Sequence, residues 1–276
     1  MKRQTLLQHG RYRYLKLAGL LMILAALAYL IDRPAVVAYG GTWLGYALGT
    51  VTALILIGQL WYGVRRNAYG GRGSLGGRLS AHVYLGASML VLATLHGGFQ
   101  FGWNVHTLAY VLMLAAILTG AWGVWGYLRL PRLMTENMGE DSFDALLQKI
   151  ADLDELARFN ALQLSDEVNA IVARARRETR IGGSVMRLVS GRHPDCPTAW
   201  AVRRLDELGR NLDAGQSKVH QELYSVMHLK EMLLVRARLD VAYRARLEFW
   251  LYFHVPLSIA AATALVAHVF SVFFYW

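Results

Sequence analysis

The sequence contains very little cysteine. Cys196 is the only one, which excludes an intrachain disulfide and an iron–sulfur cluster held by cysteines of this chain alone. No Cys-x-x-Cys-His segment occurs, so the covalent haem attachment of c-type cytochromes is excluded as well. Any haem in this protein must therefore be held without a covalent bond to the polypeptide.

Charged residues are also scarce. They make up 17% of the 276 residues, whereas 55% are hydrophobic. Long apolar runs with almost no charge place the chain among integral membrane proteins, with membrane lipid as its surroundings. The formal net charge is +10. Because the basic residues that acidic ones do not balance lie at the ends of the apolar runs, this excess indicates orientation in a membrane, and no nucleic-acid partner is expected.

Five apolar segments are long enough to cross a bilayer as helices. They are predicted at Leu17–Ile31, Thr42–Val64, Ala81–Gln100, His106–Leu128 and Phe249–Trp276. The sequence therefore predicts an all-α membrane protein in three parts. Residues 1–133 carry the first four transmembrane helices, residues 134–246 form a cytoplasmic helical insertion, and residues 247–276 form the fifth transmembrane helix.

The polar insertion is predicted to be a helical hairpin. Apolar residues recur at helical spacing in its first half, a glycine- and proline-containing stretch follows at Gly182–Pro197, and Thr198–Glu248 is predicted as one long helix continuous with the fifth membrane helix. An insertion of about 110 residues is more than a connector needs. We expect it to dock a cytoplasmic electron-transfer protein or a sister subunit. The alternative is a solvated arm that supports the membrane part.

The distribution of lysine and arginine predicts the orientation. The first 16 residues, the segment Arg65–Ser80 and the segment after the fourth helix are basic, whereas the other loops and the C-terminal end hold Arg33 as their only basic residue. Because basic loops stay in the cytoplasm, we expect a cytoplasmic N-terminus and a C-terminus on the outer, periplasmic side of a bacterial inner membrane. The third and fifth helices then run in the same direction.

Four histidines lie inside the third and fifth apolar segments. His82 and His96 are 14 residues apart, and so are His254 and His268. Fourteen residues span about 21 Å of helix and return to within about 40° of the same face. Metal-binding side chains inside membrane helices are functional candidates. The repeated spacing on two separate helices favours ligation over four unrelated interior histidines.

Co-directional helices pair His82 with His254 near the cytoplasmic side and His96 with His268 near the outer side. A planar macrocycle fits between facing helices and takes one axial histidine from each, so haem is the ligand that suits two stacked pairs of imidazoles. We expect two non-covalent haem b groups, one with its iron on the inner pair and one with its iron on the outer pair.

Other residues near these pairs are open to more than one interpretation. Arg78, one turn before His82, either neutralises a haem propionate or is a plain cytoplasmic charge. His106 opens the fourth helix at the level of the outer pair, where it is a further cofactor-binding candidate: a third ligand, a propionate or quinone contact, or an interfacial residue. Gly86 and Gly97 allow close approach of a macrocycle edge or of another helix.

The histidine pattern resembles that of the ferric reductase-like transmembrane family, the membrane part of ferric reductases and NADPH oxidases. In that family the third and fifth helices each carry two histidines, and these hold two stacked b-type haems. The matching residues here are His82, His96, His254 and His268. Family members have a sixth helix, and the oxidases and reductases add a flavin and nicotinamide domain. The sequence shows neither, so we expect no flavin or nicotinamide site and a separate electron donor.

These observations lead to one functional expectation and two alternatives. We expect a di-haem b-type cytochrome that conducts electrons between a cytoplasmic partner and an acceptor at the outer face, as an electron-transfer component of an oxidoreductase rather than a complete enzyme. One alternative is a quinone-reactive cytochrome b subunit of a larger complex, with quinone near His106 or the arginine-rich inner loop. The other is a haem-free membrane scaffold or metal transporter.

Overall fold

The structure is a computed structural model that describes residues 8–32, 40–68, 75–210 and 214–274. Within these ranges the regular elements are α-helices and no strand occurs, which confirms the all-α prediction. The helices are α1 Arg13–Ile31, α2 Trp43–Ala68, α3 Leu75–His96, α4 Val105–Met138, α5 Phe143–Ala161, α6 Asp166–Glu178, α7 Val185–Ser190, α8 Pro197–Gly209, α9 Ala214–Phe249 and α10 Leu251–Phe274. The middle of the arginine-rich loop, including Arg72, lies outside the described residues.

The prediction of a membrane protein is confirmed at the level of its helices. In the described part of the chain, five helical stretches are long and apolar enough to cross a membrane. They contain α1, α2, α3, the first part of α4, and α10. The third helix ends at His96, four residues earlier than predicted, because Gly98 and Phe99 adopt left-handed backbone angles of 58° and 61° in φ.

The fourth helix extends beyond its predicted end at Leu128. It passes through Pro131 and ends at Met138. A proline inside a helix removes one backbone hydrogen bond and normally marks a boundary. Here the residues after Pro131 still support the helix, since Arg132 pairs with Glu136 one turn later at 2.7 Å and the Thr135 hydroxyl donates to the Pro131 carbonyl at 3.0 Å.

The described residues of 1–124 and 250–276 form the first of two compact units. In it α3 packs against α1 and α2, and α2 contacts α10. A small apolar core lies between the first three helices and consists of Ala25, Leu44, Leu48 and Leu92. Large apolar side chains such as Leu20, Leu54 and Phe270 are exposed on the outside of this unit, which is the surface that a helix bundle presents to lipid.

Residues 125–249 form the second compact unit, which contains the end of α4 and helices α5 to α9. Serine side chains cap the first two helices that lie wholly within it: Ser142 accepts from the Ala145 N–H before α5, and Ser165 accepts from the Val168 N–H before α6. One apolar core joins α5, α6, α8 and α9, and a second joins the end of α4 with α5 and α9.

The prediction of a single helix over Thr198–Glu248 is wrong. Residues of α8 and of α9 share one core, in which Ala201 and Leu205 meet Leu223 and Met227, so the two helices lie side by side. Gly209 makes the close return of the chain possible, since a Cβ there would lie 2.6 Å from Cε1 of His220. His220 is accordingly buried in the packing of α9 on α8.

The second unit contains a buried ion pair that predicts a stability effect. The Lys230 side chain is 1% exposed and its ammonium binds the carboxylate of Asp154. Asp154→Ala would leave that charge buried without a partner, and we expect a loss of about 3 kcal/mol of unfolding free energy. Thermal unfolding of the purified chain in detergent, followed by circular dichroism, measures this loss.

The double variant is the control for this prediction. Adding Lys230→Met to Asp154→Ala removes the unpaired charge and keeps a side chain of similar length, so most of the lost stability should return. If Asp154→Ala unfolded at the same temperature as the original chain, the ion pair would not have the structural role assigned to it.

Candidate functional site

All five histidines of the predicted site lie in the first compact unit and are half-buried. The structure brings His82 of α3 and His254 of α10 together, with ring centroids 6.2 Å apart and ring planes at 73°. It brings His96 of α3 and His268 of α10 together in nearly the same geometry, at 6.0 Å and 74°. We call these the inner pair and the outer pair, after the predicted orientation. Two separate histidine pairs thus share one arrangement.

The ring of His254 is held by α4. Its Nδ1 lies 3.0 Å from the Ala116 carbonyl oxygen and 3.2 Å from Oγ1 of Thr119. A carbonyl oxygen only accepts, so Nδ1 carries the proton and donates it. The lone pair of the other nitrogen, Nε2, is therefore available to a metal. Gly120 gives the ring room, because a Cβ there would lie 3.1 Å from Cε1 of His254.

The ring of His96 is held in the same way by α2. Its Nδ1 donates to the Gly45 carbonyl oxygen at 2.7 Å, which again leaves Nε2 with a free lone pair. A Cβ on Gly49 would lie 2.7 Å from Cε1 and 2.8 Å from Nδ1 of His96. No side chain fits at that position unless the imidazole moves.

Both rings use one local pattern, which we call the carbonyl–glycine seat. The carbonyl of residue i accepts from the imidazole, and residue i+4 is glycine: Gly45 with Gly49, and Ala116 with Gly120. The pattern has a physical cause, since a helical carbonyl points toward the residue one turn later, and a side chain there would cover it. The sequence analysis missed these residues. The sequence pattern that could have indicated them is a small residue followed four positions later by glycine, which occurs on α2 and on α4.

The separation of each pair matches what two imidazoles need when they bind one metal from opposite sides. A metal–imidazole bond is about 2 Å and a ring centre lies about 1 Å beyond its nitrogen, so the two ring centres come to lie about 6 Å apart. The inner pair, at 6.2 Å, and the outer pair, at 6.0 Å, both satisfy this. The donor set of two neutral imidazoles also suits haem iron.

His106 joins the outer pair. Its ring centroid lies 5.2 Å from that of His96 and 5.0 Å from that of His268. These separations are too short for a pair on opposite sides of a metal. Because His106 is almost equally far from both rings, it lies near the plane that bisects them, which is where a macrocycle with iron between His96 and His268 would lie. A haem fits the outer pair only when the His106 ring turns out of this plane.

The three helices that carry the histidines and the seat of His254 are widely spaced. Between any two of α3, α10 and α4 up to Val124, the Cα atoms stay more than 8 Å apart almost throughout the described residues. Tightly packed helices have axes about 8–10 Å apart, and because each Cα lies about 2.3 Å from its axis, facing Cα atoms then come closer than 8 Å. Gly86 lies one turn after His82 on the same face, and a Cβ there would meet nothing within 4 Å. Of the two alternatives for Gly86, close packing of another helix does not occur among the described residues, and the face beside His82 has room for a flat group.

The remaining candidate residues are placed less informatively. Arg78 lies one turn before His82 on α3 and is exposed, so its role beside a propionate stays a prediction.

Cys196 is buried in the second unit, where the Arg238 guanidinium donates to its sulfur at 3.3 Å. Among the residues that the structure describes, the cluster of His96, His106 and His268 is the one group of three or more candidate ligands close enough to hold a metal ion.

Comparison of the chain with protein-family models, with curated proteins and with solved structures finds no match.

Proposed function

We propose that this protein is a di-haem b-type membrane cytochrome that conducts electrons across the membrane. The observation that carries the proposal is the repeated geometry of the two pairs, His82 with His254 and His96 with His268. In each pair one ring is fixed by a carbonyl–glycine seat, so that its Nε2 is free for a metal. The resemblance of the histidine helices to the ferric reductase-like family supports the same function.

At the inner pair, His254 is oriented by Ala116 and Thr119, and His82 supplies the opposite imidazole. Gly86 and the wide spacing of the helices leave room for the macrocycle beside this pair. When bound, a haem with two imidazole ligands supplies a one-electron carrier without an open coordination position. The inner pair is therefore suited to passing electrons and not to binding a substrate at iron.

At the outer pair, His96 and His268 would hold the second haem, and the His106 ring would have to rotate away from them. His106 is the second residue of α4 and follows the non-helical stretch Gln100–Asn104. A side chain at a helix start has fewer neighbours from its own helix than one in the middle. The proposal therefore requires a second position of the His106 side chain, directed away from the outer pair.

The electron path is proposed to begin at a cytoplasmic partner and end at an acceptor at the outer face of a bacterial inner membrane. The basic segments support a cytoplasmic N-terminus. The exposed apolar residues Leu156, Phe159 and Leu162, at the end of α5 in the second unit, support docking of an electron-transfer protein or a sister subunit there. A cysteine placed at Phe101 should react with a membrane-impermeant maleimide added to whole cells. Absence of reaction in intact cells and reaction after lysis would reverse the orientation.

A pyridine haemochrome spectrum of the purified chain tests the proposal directly. We expect two b-type haems per chain and two one-electron waves in an optical redox titration. Chemical reduction by a quinol alone would favour the quinone-reactive alternative. Absence of haem from a folded preparation would refute the proposed function.

One observation favours the haem-free metal-binding alternative. The three histidines of the outer cluster offer ring nitrogens that all lie within 4.8 Å of one another, and imidazole is a common ligand of zinc, copper and nickel. In that case the haemochrome spectrum would be blank while elemental analysis would find a transition metal.

A further inference from the structure

We infer that the outer cluster of His96, His106 and His268 binds one divalent first-row transition-metal ion through three imidazoles, and that this ion and a haem on the outer pair exclude each other. The metal site follows from the three side chains alone. The competition with haem rests on the proposed function. His106 is the residue that separates the two states, because the ion needs it and the haem does not.

The distances allow such a site with small movements. The three ligand nitrogens lie within 4.8 Å of one another, and three imidazoles on a tetrahedral metal ion, bonded at about 2.0–2.1 Å, have nitrogens about 3.3 Å apart. A shift of each ring toward the common centre closes the difference. Three histidines with a fourth position open to water are an established donor set for zinc.

The third imidazole is available for a ligand. Nε2 of His106 is buried and has no hydrogen-bond partner among the described residues. It lies against Gly97, where a Cβ would come within 2.8 Å of it. A buried polar nitrogen without a partner costs free energy, and a metal bond made through Nε2 would offset that cost. His96 is already oriented by Gly45, so the site does not have to order all three side chains when the ion binds.

The same geometry makes the two occupants exclusive. His106 lies at 5.2 and 5.0 Å from the two rings of the outer pair and so close to the plane that bisects them. A macrocycle on the outer pair would fill that plane, and His106 would then point away from His96 and His268. With the macrocycle in place the three nitrogens cannot converge on an ion.

The test uses the full chain purified in detergent from cells in which haem synthesis is limited, with Co²⁺ as the optical probe and Zn²⁺ measured by elemental analysis. We expect one ion per chain and intense visible cobalt bands typical of a tetrahedral site. His106→Ala should weaken binding by at least about 100-fold, since loss of a ligand should cost more than the 10–100-fold typical of losing a residue that only orients one. His228→Ala, an exposed histidine of α9, is the matched control and should bind as the original chain does.

In haem-replete cells His106→Ala should still carry two haems, because His106 is not a ligand of either haem in this proposal. Loss of one haem from this variant would show that His106 binds haem iron. Equal cobalt binding by the original chain and His106→Ala would overturn the inference. A folded chain that binds cobalt through His106 but never contains haem would support the metal site and refute the proposed function, so the two failures are distinguishable.

A second measurement applies if the haem-poor chain is not recovered folded. Native mass spectrometry of the protein from zinc-supplemented cells counts haem and zinc in each molecule. Molecules with one haem should carry zinc and those with two should not. Molecules with two haems and one zinc that is lost in His106→Ala would contradict the exclusion.

Discussion

Replacing His254 with alanine should remove one of two haems and leave the other in place. The inner pair lies 6.2 Å apart between ring centres, so the loss of one of its imidazoles would leave the iron of the proposed haem with a single ligand from this pair. We expect the haem content to fall from two to about one per chain and one of the two redox waves to disappear. His82→Ala should remove the same wave.

Alanine variants of the outer pair should remove the other haem. His96→Ala and His268→Ala should remove the other wave and leave the inner one, because these two histidines form the outer pair. Loss of one wave by His82→Ala and of the other by His254→Ala would show that the histidines pair across and would contradict the arrangement of α3 and α10.

Two controls separate ligation from general damage to α10. Thr263 lies on the same helix, is exposed, and donates its hydroxyl hydrogen bond to the Ile259 carbonyl of its own helix. Thr263→Ala should therefore retain both haems. Free imidazole added to His254→Ala should restore the missing wave in part, since the alanine leaves space for a replacement ligand. Restoration would not occur if the substitution had only unfolded the helix.

Replacing Gly49 with valine should disrupt the outer pair from a different helix. The new Cβ would lie 2.7 Å from Cε1 of His96 and 2.8 Å from its Nδ1, so the imidazole must move and its bond to Gly45 breaks. Overpacking of this kind costs about 1–3 kcal/mol, which corresponds to roughly 5- to 150-fold weaker binding of the outer haem. The measurement is the haem content together with the amplitude of the outer wave.

Gly58→Val is the matched control on the same helix. A Cβ at Gly58 would meet nothing within 4 Å, so this variant should keep both waves. Gly120→Val should weaken the inner haem instead, because its Cβ lies 3.1 Å from the ring of His254. If Gly49→Val and Gly58→Val behaved alike, the carbonyl–glycine seat would have no part in holding the ring.

The sequence was sufficient for features that repeat along one helix. Apolar length predicted the membrane helices, and the 14-residue spacing on α3 and α10 predicted which histidines share a face. These signals are local, because they depend on residues of a single helix. His106 was noticed for the same reason, as a polar residue at the start of an apolar run.

Features that depend on a neighbour across space were not predictable. In the sequence, Gly49 cannot be distinguished from other small residues of apolar helices. Its role in leaving space for an imidazole is evident only from the position of the His96 ring against it. Gly86 was compatible with close approach of either a macrocycle edge or another helix, and only the structure shows that no described residue packs against it. The division of 198–248 into α8 and α9 was missed because mixed charge and helical spacing run through both, while the return of the chain at Gly209 depends on His220.

The two carbonyl–glycine seats have a consequence for the order of biogenesis. The backbone carbonyls of Gly45 and Ala116 orient the rings of His96 and His254. The rotamers of these two side chains are therefore fixed before a metal binds. The rotational entropy of these side chains is lost when the helices assemble, so the free energy of binding a cofactor later does not include this entropic cost. On the proposed function, membrane insertion can thus be completed first, and delivery of the prosthetic group can follow as a separate, late step.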